Sequence, residues 1–221
     1  MEWNELVPQW ITAIGTVGAV VVALFQKLIR DWINRPKIKI TCKDDNQCKV
    51  VLNSNAESSD DSNEVRIRVR LENNGNNIAN HAALYVDSYY KYREKEGSYV
   101  KEDFPPKQIK DYRNTKPTLI VPQLQYYFEV ATIHQYDSMT RQEDGNKAKQ
   151  FYKLYLLGDG EVQPLGKGTF VIPLKFYSSR IDVYITYLKI FWDSDDFIMD
   201  KNNFGLEILS EKEFKKLKKV E

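Results

Sequence analysis

Histidine and cysteine are nearly absent from this sequence, two of each in 221 residues, and the scarcity removes most routes to metal or nucleophilic chemistry. His81 follows an Asn-Gly turn and His134 lies in a strand-like run, neither in a ligand spacing. Cys42 and Cys48 lack the paired spacing of a zinc site. They face each other across a short polar turn, so a disulfide is geometrically open to them, although a reducing compartment keeps such a pair as thiols. No glycine-rich loop precedes a helix, which excludes the usual phosphate cradle. Residues 200–211 imitate a calcium loop through Asp200, Asn202, Gly205 and Glu211, but Phe204 stands where an oxygen ligand belongs. The expectation is a protein that is not an enzyme, with no metal and no cofactor.

Excess charge of either sign is lacking too. Lys and Arg number 32 against 31 Asp and Glu. The balance holds within the first 35 residues, where Glu2, Glu5 and Asp31 offset Lys27, Arg30 and Arg35. A nucleic-acid binder working through bulk charge is thereby excluded. There is also no internal repeat or low-complexity array.

Only one long apolar run exists. Residues 10–25 carry no charge, and Leu6 and Val7 extend the stretch to residue 6, a helix of ~30 Å that matches a hydrocarbon core. Trp3, Trp10 and Trp32 flank it as interfacial aromatics do. A cleaved signal peptide would need a basic leader, and Glu2 and Glu5 make this one acidic. The other reading is a buried helix of a soluble domain. As an uncleaved transmembrane anchor, the run is followed by Lys27, Arg30, Arg35, Lys37 and Lys39, which places the C-terminal part in the cytoplasm. Phe25, Leu28, Ile29, Trp32 and Ile33 continue the helical spacing, and Pro36 ends it.

Within this helix Gln9, Thr12, Thr16, Ala19, Ala23 and Gln26 follow alternating steps of three and four, a seam of polar and small side chains. Gly15, Ala19 and Ala23 add a small-residue stripe that lets helices approach closely in lipid. The expectation is a homo-oligomer, held either by plain packing or around a narrow polar lumen.

After Pro36 the period changes to two, and aromatics and β-branched residues cluster in short runs. Residues 37–42 and 48–52 read as a hairpin, and 53–63 as a solvated loop. Residues 64–71 alternate cleanly, with Val65, Ile67, Val69 and Leu71 on one face and Arg66, Arg68 and Arg70 on the other. The cluster 73–77 is a turn in which Gly75 supplies a positive φ. Further strands are expected near 82–92, 124–131, 151–157, 168–177 and 182–192. Residues 97–118, with Pro105, Pro106 and Pro117, read as irregular, and 141–149 as a polar loop. Many short strands with one apolar face each predict a mostly β chain: an N-terminal transmembrane helix (1–35), a two-sheet antiparallel sandwich (36–209) and a short basic C-terminal helix (210–221). In that last helix Ser210 and Glu213 have capping-box spacing, and Phe214 and Leu217 form a thin apolar stripe.

Residues 68–87 hold a strand, an Asn-Gly turn, an Ala and a second strand, a pattern that resembles bacterial immunoglobulin-like domains. The runs 124–130, 168–177 and 187–193 set beside one another strengthen the likeness. The whole layout is similar to single-pass bacterial membrane proteins with a cytosolic immunoglobulin-like sandwich, of the kind found as membrane effectors in anti-phage defence, the Hailong type among them. The resemblance implies an inner-membrane effector whose anchors oligomerise and disturb the bilayer when the sandwich senses a ligand or a protein partner. A passive tethered adaptor that recruits another protein is the alternative.

For the ligand, the residues themselves point to one place. Arg66, Arg68 and Arg70 repeat at ~6.6 Å along a strand, close to the ~6–7 Å between phosphates of an extended single strand. Tyr85, Tyr89 and Lys91 share a face of the next long strand by simple alternation. Were the two strands paired, Arg and Tyr together would hold phosphates and stack bases of a nucleotide or oligonucleotide. The competing reading is a solvated face with the arginines neutralised by acids such as Asp87.

Overall fold

The computed structural model describes residues 3–42, 47–52, 64–109, 119–137, 150–156, 165–179, 181–192 and 204–218. It opens with α1 (Trp3–Ile33) and continues almost wholly in strands. One sheet is built from β1 (Ile38–Thr41), β2 (Lys49–Leu52), β3 (Glu64–Asn73), β8 (Gln125–Asp137) and β9 (Gln150–Leu156). The second has β5 (Ala83–Arg93), β6 (Ser98–Ile109), β10 (Gly168–Ser178), β11 (Ile181–Trp192) and β12 (Phe204–Leu209), in the order β12-β11-β10-β5-β6. β4 (Ala79–Asn80) and β7 (Leu119–Ile120) form a small separate pair, and α2 (Glu211–Leu217) closes the described chain. All these pairings are antiparallel.

Alternation carries the architecture. β3 buries every second residue, Val65, Ile67, Val69 and Leu71 among them, as expected. These meet Phe170, Ile172, Leu174, Phe176, Leu188, Ile190 and Trp192 of the opposite sheet in one apolar core. The inner faces therefore share a core and the outer faces point in opposite directions.

Several local expectations are corrected. β1 and β2 do not form a hairpin: both pair with β3, Ile40 opposite Leu71 and Val50 opposite Arg66. They make one broken edge strand whose break straddles Arg68. Arg68 N–H donates to the Cys48 carbonyl (2.7 Å) and the Cys42 thiol donates to the Arg68 carbonyl (3.4 Å). Both cysteines are thiols. Residues 98–109, expected to be irregular, form β6. The prolines are tolerated because β6 is an edge, and because Phe104, Pro105 and Pro106 fall in a bulge where the register jumps from Ser88–Asp103 to Val86–Lys107. β12, for which no element was expected, pairs in unbroken register with β11. The runs that supported the immunoglobulin likeness divide between sheets, β8 in one and β10 and β11 in the other. The loops at 53–63 and 141–149 lie outside the described residues.

The junction between α1 and the sandwich is tightly specified. Asn73, fully buried, accepts from Lys37 N–H (3.1 Å) and Gly75 N–H (3.0 Å) through its side-chain oxygen. Its amide donates to the carbonyls of Asn77 (2.7 Å) and Ile120 (3.1 Å). Asn74 N–H adds a bond to the Lys37 carbonyl (2.8 Å). Gly75 is required for closeness, not for a positive φ. A Cβ there would lie 2.5 Å from the Arg35 carbonyl oxygen and 2.6 Å from the Lys37 nitrogen. The non-glycine residues that do take a positive φ nearby are His81, at 51°, and Gln123, at 63°, whose N–H donates to the Asn73 carbonyl (3.1 Å).

Candidate ligand-binding site

The two halves of the expected nucleotide site fall apart. Arg66, Arg68 and Arg70 lie on the outer face of the first sheet, whereas Tyr85, Tyr89 and Lys91 belong to β5 in the second. The arginines are also neutralised. Arg66 pairs with Glu64 (2.6 Å) and Glu129 (3.7 Å), Arg68 with Glu129 (3.8 Å), and Arg70 with Glu72 (3.1 Å). Its hydrogen bond to Glu64 raises the Arg66 pKa, against the lowering effect of burial. This is the solvated-face reading with different acids, because Asp87 pairs with Lys175 in the other sheet.

Simple alternation also misplaces the tyrosines of β5. Between the pairs Lys175–Tyr85 and Val171–Tyr90, β5 holds one more residue than β10. That bulge reverses the facing of everything beyond it. Tyr89 consequently turns into the core, 5% exposed, against Phe104 and Phe170, with its hydroxyl bonded to Glu102. Burial and that carboxylate push its phenol pKa well up. Lys91 lies over the Phe170 ring at 5.7 Å. Tyr85 stays outside, edge-on to Tyr177 at 5.5 Å, and is joined there by Tyr90 and Tyr92.

The outer face of the second sheet is the aromatic one. Phe214 of α2 lies on it, 4.3 Å from the Tyr187 ring and 4.7 Å from Tyr90, with the Lys218 ammonium 4.6 Å over Tyr90. The capping box of Ser210 and Glu213 holds α2 in place for this contact, as its spacing predicted. Leu217 is only half-buried, and Val220 lies outside the described residues.

Beside Phe214 the face opens into a cavity of about 590 Å³ lined by Tyr92, Tyr99, Thr169, Phe191, Lys189 and Glu207. Its register is explicit. Phe191 pairs with Thr169 and with Gly205, Lys189 pairs with Glu207, and Tyr92 pairs with Tyr99. Tyr92 leans on Tyr99 at 5.2 Å, and Lys189 meets the Glu207 carboxylate at 3.3 Å. Tyr99 and Glu207 stand on opposite edge strands, yet after burial and Tyr92, Glu207 helps to raise the Tyr99 pKa. Both residues line the trough, so the sheet curls around it. Size and lining suit a small organic ligand: apolar walls with a few polar groups at one rim.

No family model, curated protein or solved structure matches the chain. The cavity and α1 accordingly have to be interpreted from their own chemistry.

Among the described residues, no helix is long and apolar enough to cross a membrane. The expected span also draws on residues 6–9 of α1, Gln9 included, whose side chains are not described. The remainder of the run is unusual in another way. Every residue from 10 to 26 is exposed, with Ile14 at 69%, Leu24 at 65% and Phe25 at 56%. A buried helix of the sandwich is thus overturned. Of the expected seam, Thr12, Gly15, Thr16, Ala19, Ala23 and Gln26 are all exposed, and a Cβ at Gly15 would meet nothing within 4 Å. Thr16 donates its hydroxyl back to the Thr12 carbonyl (2.8 Å), which satisfies its donor inside the helix. Among the described residues, no group of His, Cys, Asp and Glu could hold a metal.

Proposed function

We propose that the protein is a membrane-associated effector, and not an enzyme, in which α1 enters the bacterial inner membrane and associates with its copies while a cytoplasmic immunoglobulin-like sandwich senses a ligand. One observation carries this reading: an apolar helix exposed around its whole described circumference, on a chain whose sandwich is otherwise well buried. A surface of that size does not remain in water. Lipid is the cover that fits, because Trp10 stands at one end of the apolar stretch and Arg30 and Arg35 follow the other. Gly15, Ala19 and Ala23 then let neighbouring helices approach closely, and the Thr16 back-bond favours packing over a polar lumen.

The junction supports a coupled mechanism. Asn73 and Gly75 clamp the segment that follows α1 onto the β3 end, so a change in the sandwich is passed to the helix without a flexible linker. Anti-phage defence remains part of this proposal through the residue pattern alone.

Flotation of the full chain with anionic phospholipid vesicles, together with dye release from them, tests the reading. The intact protein should float and release dye. Val17→Asp with Val21→Asp should stay at the bottom of the gradient, and Ala19→Leu with Ala23→Leu should float without releasing dye. An intact protein that fails to float refutes the membrane role; one that floats as a monomer without leakage supports the tethered adaptor instead.

A further inference from the structure

We infer that the open trough on the outer face of the second sheet is a binding slot for an uncharged planar heteroaromatic ring of purine size, with a carbonyl acceptor beside N–H donors on its edge. The same outer face already holds one aromatic ring against its tyrosines. Tyr90 of β5 and Tyr187 of β11 stand on the two strands that flank β10, and the Phe214 ring fills the space between them, stacked at 22° on Tyr187. Further along the same strands the outer face opens into the trough. Tyr92 of β5 and Phe191 of β11 flank β10 again, with the small Thr169 between them.

Strands two apart are separated by ~9.6 Å, and a ring in van der Waals contact with a ring on each side needs ~7–8 Å between the walls. A modest lean of either wall brings both into contact. At the rim, Glu207 offers two carboxylate acceptors and Lys189 one ammonium donor, 3.3 Å apart. That order complements an edge carrying a carbonyl beside two N–H donors, the edge of guanine. The two charges neutralise each other, so the slot selects the ring rather than a phosphate. Gly205, opposite Phe191, leaves open space where a ribose can sit.

The inference deepens the sensor half of the proposed function, and its test is independent of the bilayer. Full-length protein in detergent micelles is titrated calorimetrically with guanosine and, separately, with adenosine, whose edge reverses donor and acceptor. Guanosine should bind in the micromolar range and adenosine at least tenfold more weakly. Thr169→Trp should fill the slot and abolish guanosine binding, and Glu207→Gln should weaken it about tenfold, the scale of one charge-assisted hydrogen bond. If Thr169→Trp does not fold, Gly205→Leu, whose side chain enters open space, carries the same expectation. Absence of guanosine binding by the intact protein, or equal affinity in the filled-slot variant, overturns the site. Equal affinity for adenosine overturns the assignment of the edge. Vesicle flotation succeeds or fails irrespective of these results, so the two readings are separable.

Discussion

Replacing Asn73 by Ala removes four hydrogen bonds at once from the point where helix and sandwich meet. Two of them, to Gly75 N–H and to the Ile120 carbonyl, are buried. A buried polar group left unpaired costs about 1–3 kcal/mol. The partners Lys37 N–H and Asn77 carbonyl are part-buried and regain some water, so they cost about 0.5 kcal/mol each. The sum is roughly 3–7 kcal/mol, which for a domain of this size lowers the melting temperature by about 6–28 °C. Urea unfolding followed by the fluorescence of buried Trp192 measures the loss, and hydrogen exchange at Lys37 and Gly75 locates it. Asn73→Asp is the sharper control. It keeps the acceptor for both N–H groups but turns a carboxylate toward two carbonyls in a buried site, so it should be no more stable than Ala. A loss under 1 kcal/mol for Ala, or native stability for Asp, would refute the clamp.

Two other substitutions probe the outer face of the second sheet. Phe214→Ala empties the aromatic contact with Tyr90 and Tyr187 and should detach α2, costing about 2–3 kcal/mol because a terminal helix can peel away and leave no sealed cavity; circular dichroism should show the helical loss, and an unchanged unfolding midpoint would contradict the docking. Asp87 is pulled up by burial but more strongly down by its hydrogen bond and attraction to Lys175, so its folded pKa lies below the ordinary carboxylate value. Its stabilising contribution is present above that ordinary value and disappears as pH falls through the folded pKa. The midpoint difference between the native chain and Asp87→Asn should therefore be full near pH 6 and shrink below about pH 4; a difference that stays constant to pH 2 would sink the ion-pair account.

The element types were legible wherever burial is one-sided. β3 alternates apolar and polar residues because one face meets the core and the other meets water, whereas β10 and β11 were legible as runs of apolar and aromatic residues bounded by turns. The α2 cap was legible because its chemistry is confined to Ser210 and Glu213. β6 was illegible since two prolines in a strand are forbidden except in an edge bulge, and edges exist only once the sheet is assembled. β1 and β2 looked like a hairpin because local spacing cannot reveal that each prefers the same third strand.

The candidate site shows the same division. Sequence alone determined that the chain has one long apolar helix, a β domain of alternating strands and little material for metal or nucleophilic chemistry, because periodicity and composition are local properties. Tertiary structure alone decided which side chains meet. Sheet assignment put Arg66, Arg68 and Arg70 on one side of the molecule and the tyrosines on the other. A single extra residue in β5 sent Tyr89 inward and Tyr90 and Tyr92 outward. The curl of the second sheet put Tyr99 and Glu207, from opposite edges, around one trough. Each depends on partners far apart in the chain, and a strand's period says which residues share a face but not what that face will meet.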